Sequence, residues 1–522
     1  MNRNAPATPG SAPGGPQSPA FPRRGGLWWR FLLAGVVIVL LSAGVTATVG
    51  LTTVQSFVND LNRGTTIRGL GSIVTEAQAG EPQTLLLIGS DHRFRDASSD
   101  ARSDTMMLVR LDPHANATTV LSMPRDLRVD FQTPGGAWRR GAKLNETYTD
   151  GGEALTARVI EQLLNVRINH IININFGGFS SAIDAIGCVY VDVDQNYNHT
   201  NAPGSDQYSE IHIRPGYQKL CGSDALAYVR YRHTDTDFVR AARQQAFLRD
   251  VKSQYGAGKF VSDPHLLTRI VGRYSSTDPN LHSVDALLKL ADLVIYSAGK
   301  PVRQIQFPPD YLNIPGGASY VIAGADVLAQ MRHQFLEPPP KDPGASGGGA
   351  AGGRGGHGGH RGRRHGPSTS GLVAAASVGE SYAIQVGGGL GFPIYYPKLL
   401  AGNGEYMSPI PGAYPRNYRI RAPDGSVHAA YRLVVRLNGD PGNYYGVQGT
   451  TWQDPPILRN PSADHRTVNG KPLDVYYDGL HLRLVAWHTP QAVYWISNSL
   501  QEKLTNDQML ALAGSLTRLG TR

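Results

Sequence analysis

The sequence predicts a mixed α/β chain. An α/β/α domain with a mixed sheet is expected, followed by a small α+β domain and preceded by one membrane-spanning helix. Three observations carry this. Short β-rich runs alternate with amphipathic helical patterns between residues 81 and 336. Asp-Gly and Asn-Gly turns separate alternating runs after residue 371. An uncharged apolar stretch, residues 31–51, precedes both.

Residues 1–26 are rich in Pro, Gly and Ser without an apolar period and are expected to be disordered. Residues 27–51 are the expected transmembrane helix. The run "FLLAGVVIVLLSAGVTATVGL" is long enough for a hydrocarbon core of about 30 Å. Trp28 and Trp29 stand at headgroup level, and Arg23, Arg24 and Arg30 keep the N-terminus cytoplasmic. A cleaved signal peptide is the alternative, for which the run is long. A retained anchor makes this a single-pass cell-membrane protein, with everything after residue 51 extracytoplasmic. Residues 52–80 read as a membrane-proximal connector.

Residues 81–336 read as the first globular domain. Its strands are expected at 84–89, 105–111, 118–123, 170–176 and 189–193. Helices are expected at 152–165, with Leu155, Val159 and Leu163 on one face, and at 237–255, with Asp237 as its cap. Residues 337–370 are dominated by Gly, Pro, Arg and His and read as a flexible linker, in which His357, His360 and His365 are expected to be solvated, with metal binding as the alternative. Residues 371–522 should form antiparallel hairpins, with "LHLRLVAW" and "AVYWIS" paired, and end in a helix capped by Asn506. This region shows no acid, base or metal constellation. As a module beyond a flexible linker, it is expected to be dispensable for transfer of a short donor.

The formal net charge of +9 does not point to nucleic acid. Much of the excess lies in the N-terminal tail and in Arg354, Arg361, Arg363 and Arg364, and no zinc-finger spacing or basic recognition helix is present. Two cysteines occur, Cys188 and Cys221. In an oxidising compartment they are expected to pair, and two buried free thiols are the alternative.

The chemistry-bearing residues cluster at strand ends. Asp91 and Asp104 flank the apolar runs of "TLLLIGSDHRFRDASSDARSDTMMLVRLDP". Two carboxylates suit Mg²⁺, which completes its shell with water and phosphate oxygens. Caps or solvated acids are the plainer reading of each. Arg93 and Arg102 share the intervening loop, and Arg125 follows Pro124. Arg230 and Arg232 are two apart, while Arg240 and Gln244 share a helix face. Planar guanidinium groups grip phosphate oxygens bidentately. So many of them beside two acids, with no Walker-type loop, suit a pyrophosphate.

Seven ordered motifs then carry a resemblance: "LLLIGSDHR", "RSDTMMLVRLDP", "LSMPRDLRV", "KLNETYTDGG", "FGGFSSAIDAIG", "ALAYVRYRH" and "DFVRAARQQ". Together they resemble the LytR-CpsA-Psr family of cell-envelope enzymes, densely over residues 81–260 and more thinly towards 336. The resemblance does not extend to the C-terminal region, which lacks the "VxVLNG" opening of the family's longer members.

The resemblance implies a membrane-anchored phosphotransferase that moves a glycopolymer from a polyprenyl-pyrophosphate carrier onto a cell-wall hydroxyl. The acceptor would be peptidoglycan, and the cargo arabinogalactan, teichoic acid or capsule. It implies that Asp91 and Asp104 hold Mg²⁺, that Arg125, Arg230, Arg232, Arg240 and Gln244 clamp the pyrophosphate, and that Arg93, Lys143 and Arg243 are accessory contacts. A lipid groove lined by Phe176–Phe179 and the 152–165 helix competes with plain core packing of those residues. The chain departs from the family's usual "GGV" and "LNG" at Gly187-Cys188-Val189 and Leu220-Cys221-Gly222, and both departures introduce a cysteine. A pyrophosphatase and a non-catalytic glycopolymer-binding protein are the competing readings. A transcription regulator would need access to DNA that an external domain lacks.

Overall fold

The computed structural model describes residues 65–70, 73–91, 103–201, 210–232, 235–255, 273–297, 299–308, 310–314, 319–337, 367–459 and 464–520. The expected anchor, the N-terminal tail, Arg93, Arg102 and the three linker histidines lie outside the described residues. Among the described residues no helix is long and apolar enough to cross a membrane.

The first lobe is built on a seven-stranded mixed sheet. In chain order its strands are β1 (Thr65–Thr66), β2 (Gln83–Ser90), β3 (Ser103–Leu111), β4 (Thr118–Met123), β5 (His170–Asn175), β8 (Ser276–Thr277) and β9 (Val302–Ile305). A separate two-stranded pair, β6 (Val189–Val193) and β7 (Gly216–Leu220), comes between β5 and β8 in the chain. The main sheet order is β1-β8-β5-β2-β3-β4-β9. The β2–β3 and β3–β4 pairs are antiparallel, whereas β2–β5 and β4–β9 are parallel.

The run "TLLLI" lacks polar alternation because both faces of β2 are covered. Leu86 and Ile88 enter a core with Leu155 and Ile160 of α1 (Glu146–Leu164). Leu85 and Leu87 enter another core with Leu290 and Leu293 of α5 (Val284–Ser297). The three-layer arrangement follows from this period of two. The apolar face of α1 is therefore core, so of the two readings open for this helix, lipid groove or core packing, the structure shows the core. Phe179 is partly buried against the core and stands 5.8 Å from the Phe247 ring.

The remaining helices of this lobe are α2 (Phe176–Ile186), α3 (Gly222–Arg230), α4 (Asp237–Tyr255) and α6 (Ala325–Leu336). Cys188 and Cys221 are bonded, with Cα atoms 4.4 Å apart. The bond ties the residue before β6 to the residue after β7, closing the β6–β7 pair. Cys188 has φ 67°, the left-handed region that suits glycine and costs other residues about 1–2 kcal/mol. Closing a 33-residue separation offsets this with about 3–4 kcal/mol in the chain-entropy account. Protein exported from cells, denatured without reductant, should therefore take up no thiol label. Stoichiometric labelling of both cysteines would refute the bond.

The second lobe is more β-rich than the small α+β domain expected. In chain order its strands are β10 (Gly404–Tyr406), β11 (Arg416–Arg421), β12 (Val427–Leu437), β13 (Tyr444–Thr450), β14 (Asp464–Val468), β15 (Lys471–Asp478), β16 (His481–His488) and β17 (Val493–Ser497). They form one antiparallel sheet, with helices α7 (Ala376–Val386) and α8 (Asn506–Ser515) beside it. Both expected hairpins are present. Gly425 (φ 87°) turns β11 into β12, and Asn469 and Gly470 (φ 50° and 76°) turn β14 into β15. The cap of α8 is Thr505 rather than Asn506. Thr505 forms a capping box with Gln508, while Asn506 bonds backbone groups of Leu480 and Leu482.

The two lobes pack on each other, and the described residues form one compact unit. Tyr190 and Tyr217 of the β6–β7 pair enter a core with Ile420, Trp452, Leu484 and Trp495. The Tyr190 hydroxyl donates to the Arg421 carbonyl at 2.7 Å, and the Tyr217 N–H donates to the Tyr418 hydroxyl at 2.7 Å. Asp192 accepts from Arg432 at 2.9 Å and from the Trp495 indole at 3.2 Å. Gly216 (φ 113°) lets the chains meet, since a Cβ there would stand 2.5 Å from the Tyr418 hydroxyl. These contacts overturn the expectation of a separable module. An apolar patch backed by a buried ion pair is a shared core, not a tether.

Candidate active site

The central question is why two acids bracket the β2–β3 turn. Gly89 pairs with Thr105 and Ser90 pairs with Ser103, so Asp104 is the extra residue of a β-bulge. A bulge re-aims its side chain and twists the strand end. Gly89 accommodates it, because a Cβ there would stand 3.0 Å from Thr105 Cβ. Asp91 follows directly after the last paired residue of β2, at the same sheet end.

Pro124 cannot continue the β4 ladder and delivers Arg125 beside the bulge. Arg125 is the hub. Its Nη1 donates to Asp104 Oδ1 at 2.7 Å, and its Nε donates to Asp237 Oδ2 at 3.2 Å. Asp126 Oδ2 lies 3.6 Å from the same Nε. Burial works against this charge, but Asp237, Asp104 and Asp126 outweigh it and hold the guanidinium above its usual range.

Helix α4 brings the other half. Arg240 Nη2 stands 3.2 Å from Asp237 Oδ1 and 3.4 Å from the Asp104 carbonyl oxygen. Burial lowers the Arg240 pKa, with Asp237 opposing and Arg125 adding to the fall. Asp237 feels burial too, but Arg240 and Arg125 hold its carboxyl below the usual range, so it stays ionised. Asp237 was expected to cap α4. Its carboxylate is instead taken by arginines, and Thr236 Oγ1 accepts from the Val239 N–H at 3.3 Å. One turn after Arg240, Gln244 Nε2 donates to Thr105 Oγ1 at 2.9 Å, which pins α4 to the bulged strand.

Arg232 Nε lies 3.7 Å from Asp237 Oδ1, with a side chain 51% exposed. Arg230 stacks on the Phe176 ring at 3.6 Å. Phe176 follows Asn175, the partner of Ser90, so Arg230 also belongs to this sheet end. Lys143 Nζ donates to Asp126 Oδ1 at 2.7 Å. Arg243 is a correction. Expected as an accessory contact, it is 0% exposed, ion-paired with Asp235, and donates to the Tyr197 hydroxyl and the Tyr228 and Tyr231 carbonyls. It holds the lobe together and offers nothing to a substrate.

Asp126 and Asp237 are partners that the sequence reading left without a site role. Their signal was adjacency, since each lies in a motif beside a chosen arginine. A neighbouring polar cluster was also missed: Asn173 Nδ2 donates to the Tyr148 hydroxyl at 2.7 Å and to Glu153 Oε1 at 2.6 Å.

The geometry is a cationic cradle whose side chains are locked by carboxylates, suited to a multiply charged anion. A sequence model of the LytR_cpsA_psr family matches residues 51–336. The chain belongs to the LytR_cpsA_psr family. The second lobe lies beyond that match. Among relatives, a Bacillus anthracis protein named polyisoprenyl-teichoic acid–peptidoglycan teichoic acid transferase TagU is 30% identical over 230 residues, covering 43% of this chain and 69% of the relative. Biofilm regulatory protein A of Streptococcus mutans is 26% identical over 310 residues, covering 57% and 74%. The crystal structure of B. subtilis TagV shares 25% identity over 50% of this chain and 100% of its own, with a TM-score of 0.41.

The Mg²⁺ that the resemblance implies needs hard oxygen donors. Among the described residues, the one His/Cys/Asp/Glu trio at ligand spacing is Asp184, Cys188 and Cys221. Its sulfurs are in the disulfide, and Asp184 accepts from the Gly222 N–H at 2.8 Å. Asp91 and Asp104 supply hard oxygen donors at one sheet end. That suits a cation which takes one or two carboxylates and keeps water and phosphate for the rest of its shell.

Proposed function

We propose that this LytR_cpsA_psr protein transfers a glycopolymer from a polyprenyl-pyrophosphate carrier onto a cell-wall hydroxyl, with peptidoglycan as acceptor. The observation that carries the reading is Arg125, bridging the bulge acid Asp104 and the helix acid Asp237 while Arg240 shares that same Asp237. The name of the TagU relative supports the substrate class. The anchor at residues 27–51 would keep the catalytic lobe outside the cell membrane, beside its lipid-linked donor.

In this reading the acceptor oxygen attacks the sugar-linked phosphorus. The P–O bond to polyprenyl phosphate breaks, and the hydroxyl proton passes to the departing phosphate or to solvent. Arg125, Arg240 and the more exposed Arg230 and Arg232 neutralise the charge building on the departing phosphate. Gln244 holds α4 against β3, and Lys143 widens the positive rim. Asp91 and Asp104 would hold Mg²⁺, which supplies charge stabilisation to the pyrophosphate oxygens.

The test is transfer of a short lipid-linked donor to purified cell-wall glycan by the full chain in detergent. Asp91→Asn and Asp104→Asn should each lower turnover about a hundredfold or more while Tm stays within a few degrees, since both acids sit at strand ends. Full activity of both under Mg²⁺ removes the metal assignment. Release of polyprenyl phosphate without glycan labelling would turn the reading into a pyrophosphatase.

A further inference from the structure

The second lobe reaches the catalytic helix directly. Asp478, at the end of β15, is buried and uses both carboxylate oxygens on the first lobe. Oδ2 accepts from Arg249 of α4 at 3.0 Å, and Oδ1 accepts from the Gln304 N–H of β9 at 2.9 Å. One side chain thus fastens the helix to the edge of the central sheet. Arg249 follows Arg240 by nine residues, or about 13.5 Å of rigid helix.

The N-terminal turn of α4 meets the second lobe as well. A Cβ on Gly442 would press on Val239 at 3.0 Å and Asp235 at 3.1 Å, and its φ of 80° suits glycine. Gln501 lines a small cavity with Asp237 and Phe238, and its side chain accepts from Asn443 at 2.8 Å.

We infer that Asp478 is a positioning residue for transfer: through Arg249 and Gln304 it sets where α4 presents Arg240 and Gln244 to the pyrophosphate. This rests on the function proposed above. The first lobe supplies its own ties, Gln244 to Thr105 and Gln245 to Ser122 at 3.0 Å. Both act on the middle of α4, and Gln254 and Tyr190, which exchange hydrogen bonds at 2.7 and 2.9 Å, hold its C-terminal end. Asp478 adds the tie between them, to the sheet edge and the second lobe, and a rigid helix fixed at separated points resists tilting as well as sliding. A misplacement of about 1 Å is enough to cost roughly a hundredfold in rate.

The experiment compares wild type, Asp478→Asn, Arg249→Gln and the double variant in the full chain. Asp478→Asn keeps an acceptor for the Gln304 N–H but removes the charge opposite Arg249. The expected result is a fall of about tenfold in kcat with donor KM within about twofold, measured well below Tm. The double variant, which restores a neutral amide pair, should recover much of the loss. Hydrogen exchange of residues 237–255 should quicken in each single variant and return towards wild type in the double. Exchange needs no activity, so an inactive wild type with quickened exchange defeats the proposed function and leaves the tether standing. Unchanged exchange and kcat in Asp478→Asn overturns the inference. So does a kcat loss that tracks a lowered Tm and is not rescued, because that is ordinary destabilisation.

Discussion

Arg125→Lys should lower turnover of lipid-linked donor by about a hundredfold, whereas Arg240→Lys should cost about tenfold. Both substitutions keep a positive charge, so any loss reports geometry. Arg125 reaches Asp104 through Nη1 and Asp237 through Nε, two nitrogens on different edges of one plane. A lysine ammonium is a single point on a flexible stem and cannot hold both carboxylates in those positions. Each charge-assisted hydrogen bond contributes about 1.5–3 kcal/mol. Losing one such bond within the protein and another to phosphate therefore exceeds two decades, at about 1.4 kcal/mol per decade. Arg240 meets both of its partners through Nη2 alone, so less of its geometry is lost. Removing the charge altogether, as in Arg125→Ala, should also lower Tm, because Asp104, Asp126 and Asp237 then face one another without their hub. The steady-state rate with saturating donor decides the matter. Wild-type turnover by Arg125→Lys would remove Arg125 from the site.

Deleting residues 371–522 should abolish transfer even of a short donor and leave an aggregation-prone product. The freed Asp192 and Arg249 regain water, so their charges are not the main loss. What is lost is apolar contact: Tyr190 and Tyr217 would face solvent without Trp452 and Trp495 against them. Burial of a large aromatic side chain contributes about 1.5–3 kcal/mol, a sizeable part of a net stability of about 5–15 kcal/mol. The helix bearing Arg240 and Gln244 would also lose its second-lobe contacts. Size-exclusion behaviour and donor turnover of the truncated chain give the answer. A monodisperse truncation with wild-type turnover would show that the second lobe is an accessory after all.

Much of the first lobe was legible because its signals are local. The runs at 118–123 and 189–193 are strands over those same residues, and α4 spans Asp237–Tyr255 as its pattern predicts. The turn pairs Asp424-Gly425 and Asn469-Gly470 announced their hairpins through φ values that few other residues adopt. The two cysteines were expected to bond because each replaces a usual residue of the family's motifs, and they do. The parts that stayed hidden depend on distant partners. Asp192 and Arg432 are 240 residues apart, and Arg249 and Asp478 are 229 apart. Each reads alone as an ordinary surface charge. Arg243 looked like one more phosphate ligand because its neighbours in "RAARQQ" face the site, yet its own direction on the helix is inward. The bulge at Asp104 was invisible because an extra residue leaves no mark in an apolar pattern.

The shared core between the lobes also limits how such proteins can be rearranged. A second lobe taken from another protein would have to bring an acid opposite Arg249, a base opposite Asp192, a hydroxyl above Gly216 and a glycine against Val239. A graft missing any of these leaves a buried charge or the Tyr217 N–H without a partner, or clashes at the docking surface. In any lineage that keeps this architecture, the two lobes should therefore change sequence together, position by position, and pass between genomes as one indivisible piece.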